Sequence, residues 1–326
     1  MAEQSFKTSR WPLYGLLTVQ LLIGIMLMPA NNFLSIYLNE VMGYPVSQVA
    51  QVIAWGQVVG MFASLVGGNM SDRWGHKKVL VLGVGGIALS NLLYVFRVPW
   101  LIAVFWGIGG AGLGFSTLSS QGFLTLAAGA STLGLYSALY NWGYTVGGAV
   151  GIPLAAIILD RSNFYIFGLA LTGLGLFTVF IANFLPKVRP PTSSRVAPIG
   201  LVGYRTLFRP RIFILGMLRF LPTCYYGVMV LVPLLIKQQG GSNTSVAWYA
   251  AVSAIFASLM QLIAGKVSDR WGVRLPTMLA FSVILAAIAG TIITAQSLWG
   301  LYIFGTLGVS AAWALSTLLP GLVTTA

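Results

Sequence analysis

The sequence predicts an all-α protein that crosses a membrane many times. Of its 326 residues, 57% are hydrophobic and 7% are charged, and the mean hydropathy is +0.88. A soluble domain carries about 25% charged residues, so this chain has too few polar side chains to cover a surface in water. Continuously apolar runs, each long enough to cross about 30 Å of hydrocarbon, recur along the chain and favour helices over alternating barrel strands.

Ten apolar spans follow one another, separated by charged or turn-rich breaks. They lie at residues 12–38, 47–68, 79–97, 100–128, 132–159, 164–185, 212–236, 245–264, 276–296 and 298–325. The long polar connection at residues 186–211 is rich in proline and contains six basic residues. It predicts a linker between an amino-terminal bundle of six helices, residues 1–185, and a carboxyl-terminal bundle of four helices, residues 212–326.

The basic residues are distributed unevenly between the loops. If the amino terminus is cytoplasmic, fourteen Lys and Arg residues lie in inside loops and three lie in outside loops. Cytoplasmic loops carry such an excess, so the sequence predicts a cell-membrane protein with a cytoplasmic amino terminus. The net charge of +13 is therefore attributed to orientation in the bilayer and not to a nucleic-acid partner.

The segment at residues 68–77 is repeated at residues 265–274. Both copies contain Ser-Asp-Arg-Trp-Gly, and six of the ten positions are identical. A short basic loop would explain glycine and arginine but not the whole repeat, whereas two like-facing copies of one bundle would. Residues 116–118 recur in the same way at residues 316–318. By this register the chain is expected to be a truncated or incomplete version of a twelve-helix protein.

The repeated loop and the paired bundles resemble the major facilitator superfamily of transporters. The matching positions are Gly68, Asp72, Arg73, Gly75 and Lys77 in the first copy and Gly265, Asp269, Arg270, Gly272 and Arg274 in the second. The resemblance implies alternating access, in which two bundles rock about a central site and these loops act as a gating motif. Physically, Asp72 can bind helix-end amides and Arg73 a neighbouring helix, and breaking those contacts would open the inside face.

A second motif of this family, associated with antiporters, is a series of glycines in the fifth helix. It corresponds here to Gly134, Gly143, Gly147, Gly148 and Gly151, with glycine in place of the motif's proline and isoleucine in place of its last glycine. The resemblance implies efflux, while ordinary close packing of helices is the alternative. In the fourth helix, Ala103 stands where many members carry an arginine four residues before Gly107, so a proton-coupling role at that position is not expected.

Polar and aromatic side chains within the spans are candidates for solute contacts, because a polar group in lipid is costly unless it faces a cavity or a partner. The candidates, most of them on helices that line the central cavity in the family, are Gln20, Asn31, Asn32, Gln121, Tyr140, Asn141, Arg219, Tyr225, Tyr226 and Trp313. Asn31 and Asn32 are also expected to break the first helix beside Pro29. Arg219 could hold a carboxylate or phosphate, or extend to the membrane interface.

The predicted function is transmembrane transport of a small organic solute, anionic or amphipathic, by an efflux-type secondary transporter. All five acidic residues fall at termini or membrane edges, and proton antiport usually needs a carboxylate within the membrane, so a role for protons stays open. The alternatives are a facilitator without proton coupling and a non-transporting receptor or scaffold derived from a transporter. We expect a monomer with no cofactor, no metal site and no enzymatic activity.

Overall fold

The computed structural model describes residues 11–128, 133–188 and 229–325, together with residues 210, 217, 225 and 227. Its helices are α1 (Trp11–Ile36), α2 (Val46–Trp74), α3 (His76–Ser90), α4 (Pro99–Ala128), α5 (Leu133–Arg161), α6 (Phe164–Asn183), α7 (Val232–Gln238), α8 (Asn243–Trp271), α9 (Arg274–Ile293) and α10 (Leu298–Thr325). Within these residues, nine helices, all except α7, are long and apolar enough to cross a membrane. The prediction of an all-helical, multi-pass membrane protein is confirmed.

Two of the predicted segments fall largely outside the described residues. The predicted seventh span, 212–236, overlaps α7 only at its carboxyl-terminal end, because α7 begins at Val232 and ends at Gln238. Most of the predicted linker at residues 186–211 is likewise not described. The division of the chain into residues 1–185 and 212–326 therefore stays a prediction.

Helix α1 passes Pro29, Asn31 and Asn32 without interruption, so the prediction that these residues break it was wrong. The Nδ2 atom of Asn32 donates a hydrogen bond of 2.8 Å to the carbonyl oxygen of Met28. A side-chain amide that bonds in this way to a carbonyl oxygen of its own helix leaves the backbone hydrogen bonds of the helix in place. The irregular part comes later, where a π-helical turn at Tyr37–Val41 extends α1.

Two hydrogen bonds define the two ends of the molecule. Lys77 at the start of α3 donates from Nζ to the carbonyl oxygen of Asn183 at the end of α6, over 2.6 Å. Asp160 at the end of α5 accepts a bond of 3.0 Å from Nδ2 of Asn243 at the start of α8. Helix α6 begins directly after α5, close to Asp160, and ends at Asn183, close to Lys77. The two contacts therefore lie at opposite ends of the molecule. We call the end with Lys77 the turn end and the end with Asp160 the Asp160 end.

Both copies of the repeated loop lie at the turn end. The first copy leads into α3 and contains Gly75, two residues before Lys77. Helix α8 begins at the Asp160 end, so its carboxyl terminus, which is followed by Gly272, reaches the turn end. The two loops therefore face the same side, as expected for like-facing copies of one bundle.

Close glycine contacts hold the first bundle together. Helix α4 packs between α2 and α3. A methyl group added to Gly114 would lie 2.6 Å from the carbonyl oxygen of Gly60 on α2, and one added to Gly112 would lie 2.6 Å from that of Gly83 on α3. Small residues that let helix backbones approach one another are typical of the interfaces between membrane helices.

In the second bundle, α10 packs against α8 and α9. The two bundles meet mainly where α5 packs against α8.

Ala103 stands where many family members carry an arginine, and in the structure it joins two helices through its backbone. The carbonyl oxygen of Ala103 on α4 accepts a hydrogen bond of 3.0 Å from Nε1 of Trp55 on α2. In return, Nε1 of Trp106 on α4 donates to the carbonyl oxygen of Ile53 on α2 over 3.4 Å. The two indoles therefore fix α2 to α4 in both directions, and Ala103 contributes through its backbone.

Candidate solute pathway between the bundles

At the Asp160 end, four contacts between described residues join the two bundles. The carboxylate of Asp160 accepts hydrogen bonds from Nδ2 of Asn243 at 3.0 Å and from Oγ1 of Thr244 at 2.8 Å. Nζ of Lys237 lies 3.5 Å from a carboxylate oxygen of Glu40. Nearer the membrane interior, Oγ of Ser35 on α1 donates to the carbonyl oxygen of Val230 just before α7, over 3.1 Å. These contacts close the Asp160 end.

The sequence places the partners of Asp160 in the first turn of α8. Ser242 is the N-cap residue, and its side-chain oxygen accepts a hydrogen bond of 3.1 Å from the backbone N–H of Ser245. Serine is among the preferred N-cap residues, and the partial positive charge of a helix amino terminus favours a nearby carboxylate. The position of Asp160 therefore suits both the side chains and the dipole of α8.

A small cavity lies between the two bundles, lined from α1, the residues before α7, α8 and α10. The residues that line it are Met28, Asn31, Asn32, Met229, Val230, Tyr249, Ala250, Ser253, Ala254, Val309 and Trp313. Its volume is about 40 Å³. That volume holds one or a few water molecules, whereas pockets for organic ligands measure about 300–1,000 Å³. The cavity must therefore widen before it can hold an organic solute.

A larger groove lies between α1 and α5, nearer the turn end. It has a volume of about 320 Å³ and is lined by Tyr14, Leu17, Thr18, Leu21, Leu139, Trp142, Gly143 and Val146. The side chains of Tyr14 and Trp142 are 49% and 42% exposed, so the groove is open to its surroundings. Most of its lining is apolar, which suits an amphipathic or lipid-soluble molecule.

The groove and the cavity share one face of α1. Tyr14, Thr18 and Leu21 line the groove, and Met28 and Asn32 line the cavity. An α-helix has 3.6 residues per turn, so positions 14 and 32 are separated by five full turns and point in the same direction. The groove and the cavity therefore lie along the same face of α1, and α1 contacts α5 closely at Leu21 and Ile25 between them.

Three of the side chains predicted from sequence to contact solute line the cavity. Asn31 and Asn32 enter it from α1, and Trp313 enters it from α10. The ring of Trp313 also packs against that of Tyr144 on α5, with centroids 5.7 Å apart, which links α10 to the first bundle. The role of these residues in binding stays a prediction.

Other predicted contacts lie away from the cavity. Gln20 on α1 and Tyr140 on α5 are buried, 9% and 7% exposed, and neither lines the cavity. Gln121 is exposed on α4, and Asn141 on α5 is partly buried outside the cavity. The hydroxyl group of Tyr225 packs over Gly308 of α10. Arg219 and Tyr226 lie outside the described residues.

The structure adds two cavity residues from α8 that sequence reasoning did not select. Tyr249 and Ser253 are four residues apart and therefore lie on one face of the helix. Oγ of Ser253, in the cavity lining, is hydrogen-bonded to Oγ1 of Thr306 on α10 over 2.9 Å. The spacing of Tyr249 and Ser253 could have indicated this face, but aromatic and serine residues at helical spacing are common in packed helices.

The two copies of the repeated loop have the same backbone geometry. Gly75 and Gly272 have φ angles of +90° and +78°, and each N–H donates to the carbonyl oxygen of the serine four residues earlier, over 2.9 Å. These positive φ angles, combined with ψ angles of 140° and 164°, favour glycine and allow an abrupt turn between two membrane helices. The local similarity of sequence therefore reflects a shared turn.

The remaining residues of the predicted gating motif lie around these turns. Asp72 and Arg73 are exposed, and neither makes a hydrogen bond to another described residue, so the contacts predicted for them stay predictions. Lys77 instead holds the end of α6. Of the others, Gly68 and Gly265 have no close packing partner, Arg270 and Arg274 are exposed, and the side chain of Asp269 lies outside what the structure describes.

The glycines of the fifth helix face α1 within the same bundle. A methyl group on Gly143 would lie 3.5 Å from the carbonyl oxygen of Leu17, and one on Gly147 or Gly151 would overlap a carbonyl oxygen of α1. Gly148 is covered by the side chain of Met28, a cavity residue. Gly134 lies in the first turn of α5. The glycine series thus allows the close α1–α5 contact, one residue of which reaches the cavity.

Two groups of apolar helices long enough to cross a membrane, with a small cavity between them, define the class of protein: a multi-pass helical membrane protein. The chain matches the Major Facilitator Superfamily over residues 6–325 and belongs to that family. The resemblance seen in the repeated loop is confirmed.

Curated relatives of this chain are transporters by name. It is 28% identical over 240 residues to an uncharacterized MFS-type transporter of Mycobacterium tuberculosis, covering 70% of this chain and 55% of that protein. It is 24% identical over 301 residues to the multidrug resistance protein MdtH of Yersinia pestis, covering 88% and 69%. The chain thus spans little more than half the length of the first of these relatives.

The fold is also that of a solved transporter. The xylose transporter XylE from E. coli, in a partially occluded inward open conformation, superimposes with a TM-score of 0.74 at 12% sequence identity. The alignment covers 96% of this chain and 84% of XylE. A structure of a D-xylose-proton symporter gives a TM-score of 0.67 at 14% identity, covering 94% and 79%. At these identities the similarity concerns the fold alone.

Proposed function

We propose that this protein moves a small organic solute across a membrane by alternating access. The observation that carries the proposal is the cavity between the bundles, which the contacts of the Asp160 end close on one side, while a groove between α1 and α5 lies open nearer the turn end. In the described state the cavity is too small for such a solute, so transport requires the bundles to move apart on one side at a time.

The proposed orientation places the turn end in the cytoplasm. The excess of basic residues in the loops at that end supports this assignment, because cytoplasmic loops retain Lys and Arg. The described state then faces inward, with the outside closed by the contacts of Asp160, Glu40 and Ser35. The predicted cell-membrane location follows from the same assignment.

Efflux is the proposed direction of transport. Two observations support it: the glycine series of α5, and the similarity to proteins named for multidrug resistance. The mostly apolar groove is also consistent with an amphipathic solute that enters from the cytoplasmic side.

A facilitator without proton coupling is the second candidate function. Among the described side chains, the carboxylates are Glu40, Asp72 and Asp160, and all three lie at the ends of helices and not at mid-membrane. A proton-coupled transporter normally trades a proton on a group inside the membrane. The similarity to a D-xylose-proton symporter structure supports coupling only through the shared fold.

An anionic solute would need a cation in the path. The candidate from sequence is Arg219, which lies outside the described residues. If Arg219 binds such a solute, Arg219→Gln lowers uptake of anionic solutes and leaves uptake of neutral ones unchanged, because only the charged partner is lost.

Reversible crosslinking of the Asp160 end tests whether the protein transports a solute or is a non-transporting receptor. A cysteine pair, Asp160→Cys and Thr244→Cys, is made in a Cys224→Ser background and reconstituted in liposomes that contain a pH-sensitive dye. For a panel of amphipathic organic solutes, we expect flux with the pair reduced and loss of flux with it oxidised, because a fixed Asp160 end cannot open. The single-cysteine variants are the controls.

The dye separates the two candidate functions. A solute-dependent change in internal pH indicates proton coupling, whereas flux without a pH change indicates a facilitator. Solute binding without flux in both redox states would instead identify a non-transporting receptor.

A further inference from the structure

The cavity between the bundles contains no formal charge among its described residues. Its eleven lining residues are amides, a hydroxyl group, aromatic rings, methionines and small aliphatic side chains. The nearest described charges that cross between the bundles, Asp160 and the pair of Lys237 with Glu40, lie at the Asp160 end and not in the cavity. Among the described residues, a charged solute held here would find no partner of opposite charge to offset the hydration that it loses.

The polar groups of the cavity offer both donors and acceptors. Asn31 makes no hydrogen bond to another described residue, so its amide can both donate and accept. One N–H of the Asn32 side-chain amide donates to the carbonyl oxygen of Met28, which leaves the second N–H as a donor and Oδ1 as an acceptor. The paired hydroxyl groups of Ser253 and Thr306 can present either a donor or an acceptor.

The apolar part of the lining is aromatic and adaptable. Trp313 packs against Tyr144, and Met28 and Met229 contribute flexible thioether side chains. Rings stack on planar apolar groups, and methionine adjusts to irregular shapes. The amides of α1 face the cavity from the first bundle, and the hydroxyl group of Ser253 faces it from the second. A bound molecule therefore meets hydrogen-bonding groups from both bundles.

We infer that the solute is uncharged and amphipathic, with an amide or hydroxyl edge that bonds to Asn31 and Ser253 and a flat apolar part that packs against Trp313. This inference rests on the proposed function, because it names the class of solute for the same path. It selects the amphipathic class over the anionic one for this cavity. It also assigns recognition to α8, through Tyr249 and Ser253, in addition to α1 and α10.

The test uses three probes of nearly equal shape and different charge: benzamide, benzoate and benzamidine. Binding to the purified protein in nanodiscs is measured by the shift in melting temperature and by equilibrium titration. We expect benzamide to bind best. Asn31→Leu, which removes the amide at similar volume, should weaken benzamide binding about tenfold, because a bound polar group would lose its partner. Gln57→Leu, a matched change at an exposed site on α2, should have no effect.

A charge-adding variant keeps the test independent of loss of folding. Asn31→Asp should shift the preference from benzamide to benzamidine, because the new carboxylate supplies the missing counter-charge. A preference of the unmodified protein for benzoate or benzamidine would overturn the inference, as would failure of all three to bind or an unchanged preference in Asn31→Asp. If a charged solute is preferred but flux still stops when the Asp160 end is crosslinked, only the solute class is wrong and the transport proposal stands.

Discussion

The hydroxyl group of Ser258 on α8 donates a hydrogen bond of 2.6 Å to the hydroxyl oxygen of Thr145 on α5. Both side chains are buried, 5% and 0% exposed, and each lies near the middle of its helix. This bond joins the two bundles between the closed Asp160 end and the turn end. We therefore expect the Thr145–Ser258 contact to persist while the ends move, as the pivot of the transition.

A double-mutant cycle tests the pivot. Thr145→Val and Ser258→Ala each remove one partner, and we expect a coupling of about 0.6 kcal/mol, the average for polar contacts between membrane helices. The cycle is measured on the free energy of unfolding in detergent. Thr172→Val serves as the control, because its hydroxyl group bonds only to the carbonyl oxygen of Gly168 in its own helix. Zero coupling would show that the bond does not hold the bundles together.

Removal of the Asp160 carboxylate should open the end that it closes. Asp160→Ala deletes the acceptor of two hydrogen bonds between the bundles, a loss of about 1–2 kcal/mol that changes a population roughly 5- to 30-fold. An Asn32→Cys reporter in the cavity should then react faster with an impermeant maleimide added from the Asp160 side. Arg161→Ala, at the neighbouring exposed position, should leave the reaction rate unchanged. Equal rates in the two variants would contradict the closure.

Gly147 of the α5 glycine series should not tolerate even one methyl group. Gly147→Ala forces a methyl group onto the carbonyl oxygen of Leu21, so we expect a loss of stability of roughly 1–3 kcal/mol. Gly173→Ala on α6 meets nothing within 4 Å and should be neutral or slightly stabilising, because alanine favours a helix more than glycine does. Melting temperatures in detergent distinguish the two, and equal shifts would show that α1 and α5 can separate at little cost.

The repeated turns should depend on glycine for backbone reasons alone. An added side chain at Gly75 or Gly272 meets open space, but φ angles of +90° and +78° are strained for other residues. We expect Gly75→Ala and Gly272→Ala to lower the free energy of unfolding by similar amounts, about 1–3 kcal/mol each. Gly85→Ala, whose nearest neighbouring atom is 4.0 Å away in a regular helix, is the control. A large difference between the two turns would indicate that the copies are not equivalent.

Cysteine labelling along α1 tests whether solute reaches the groove and from which side of the membrane. Thr18→Cys, on the groove face, should react with an impermeant reagent added from the cytoplasmic side, and solute should protect it. Leu16→Cys, at a fully buried position, should not react. Labelling of Thr18→Cys only from the outside would reverse the proposed orientation.

The sequence predicted the fold well because the membrane limits what apolar runs can do. Runs of sufficient length must form helices in lipid, so most of the span positions agree with the observed helices. The exact repeat of Ser-Asp-Arg-Trp-Gly indicated two like-facing copies, and the structure places Gly75 and Gly272 at the same end. The predicted break at Asn31 and Asn32 failed because the Asn32 side chain bonds to its own helix, which composition cannot show.

The site was harder to predict than the fold because it forms between helices distant in sequence. Asn31 and Trp313 were identified from polarity and helix number, whereas Tyr249 and Ser253 were not, since their use depends on how α8 rotates against α10. Gln121 was an equally reasonable candidate by composition, yet it is exposed away from the cavity. Which face of a helix meets a cavity is fixed by tertiary packing and not by the local sequence.

Reciprocal motion of the two ends is the most direct test of alternating access. Spin labels at Trp74→Cys and Trp271→Cys report on the turn end, and labels at Arg161→Cys and Trp299→Cys report on the Asp160 end, all at exposed positions. The distances between the spin labels are measured by pulsed electron paramagnetic resonance in nanodiscs, in the Cys224→Ser background, with and without a transported solute. We expect the turn-end distance to shorten as the Asp160-end distance lengthens. Distances that stay fixed at both ends, or that change in the same direction, would contradict alternating access.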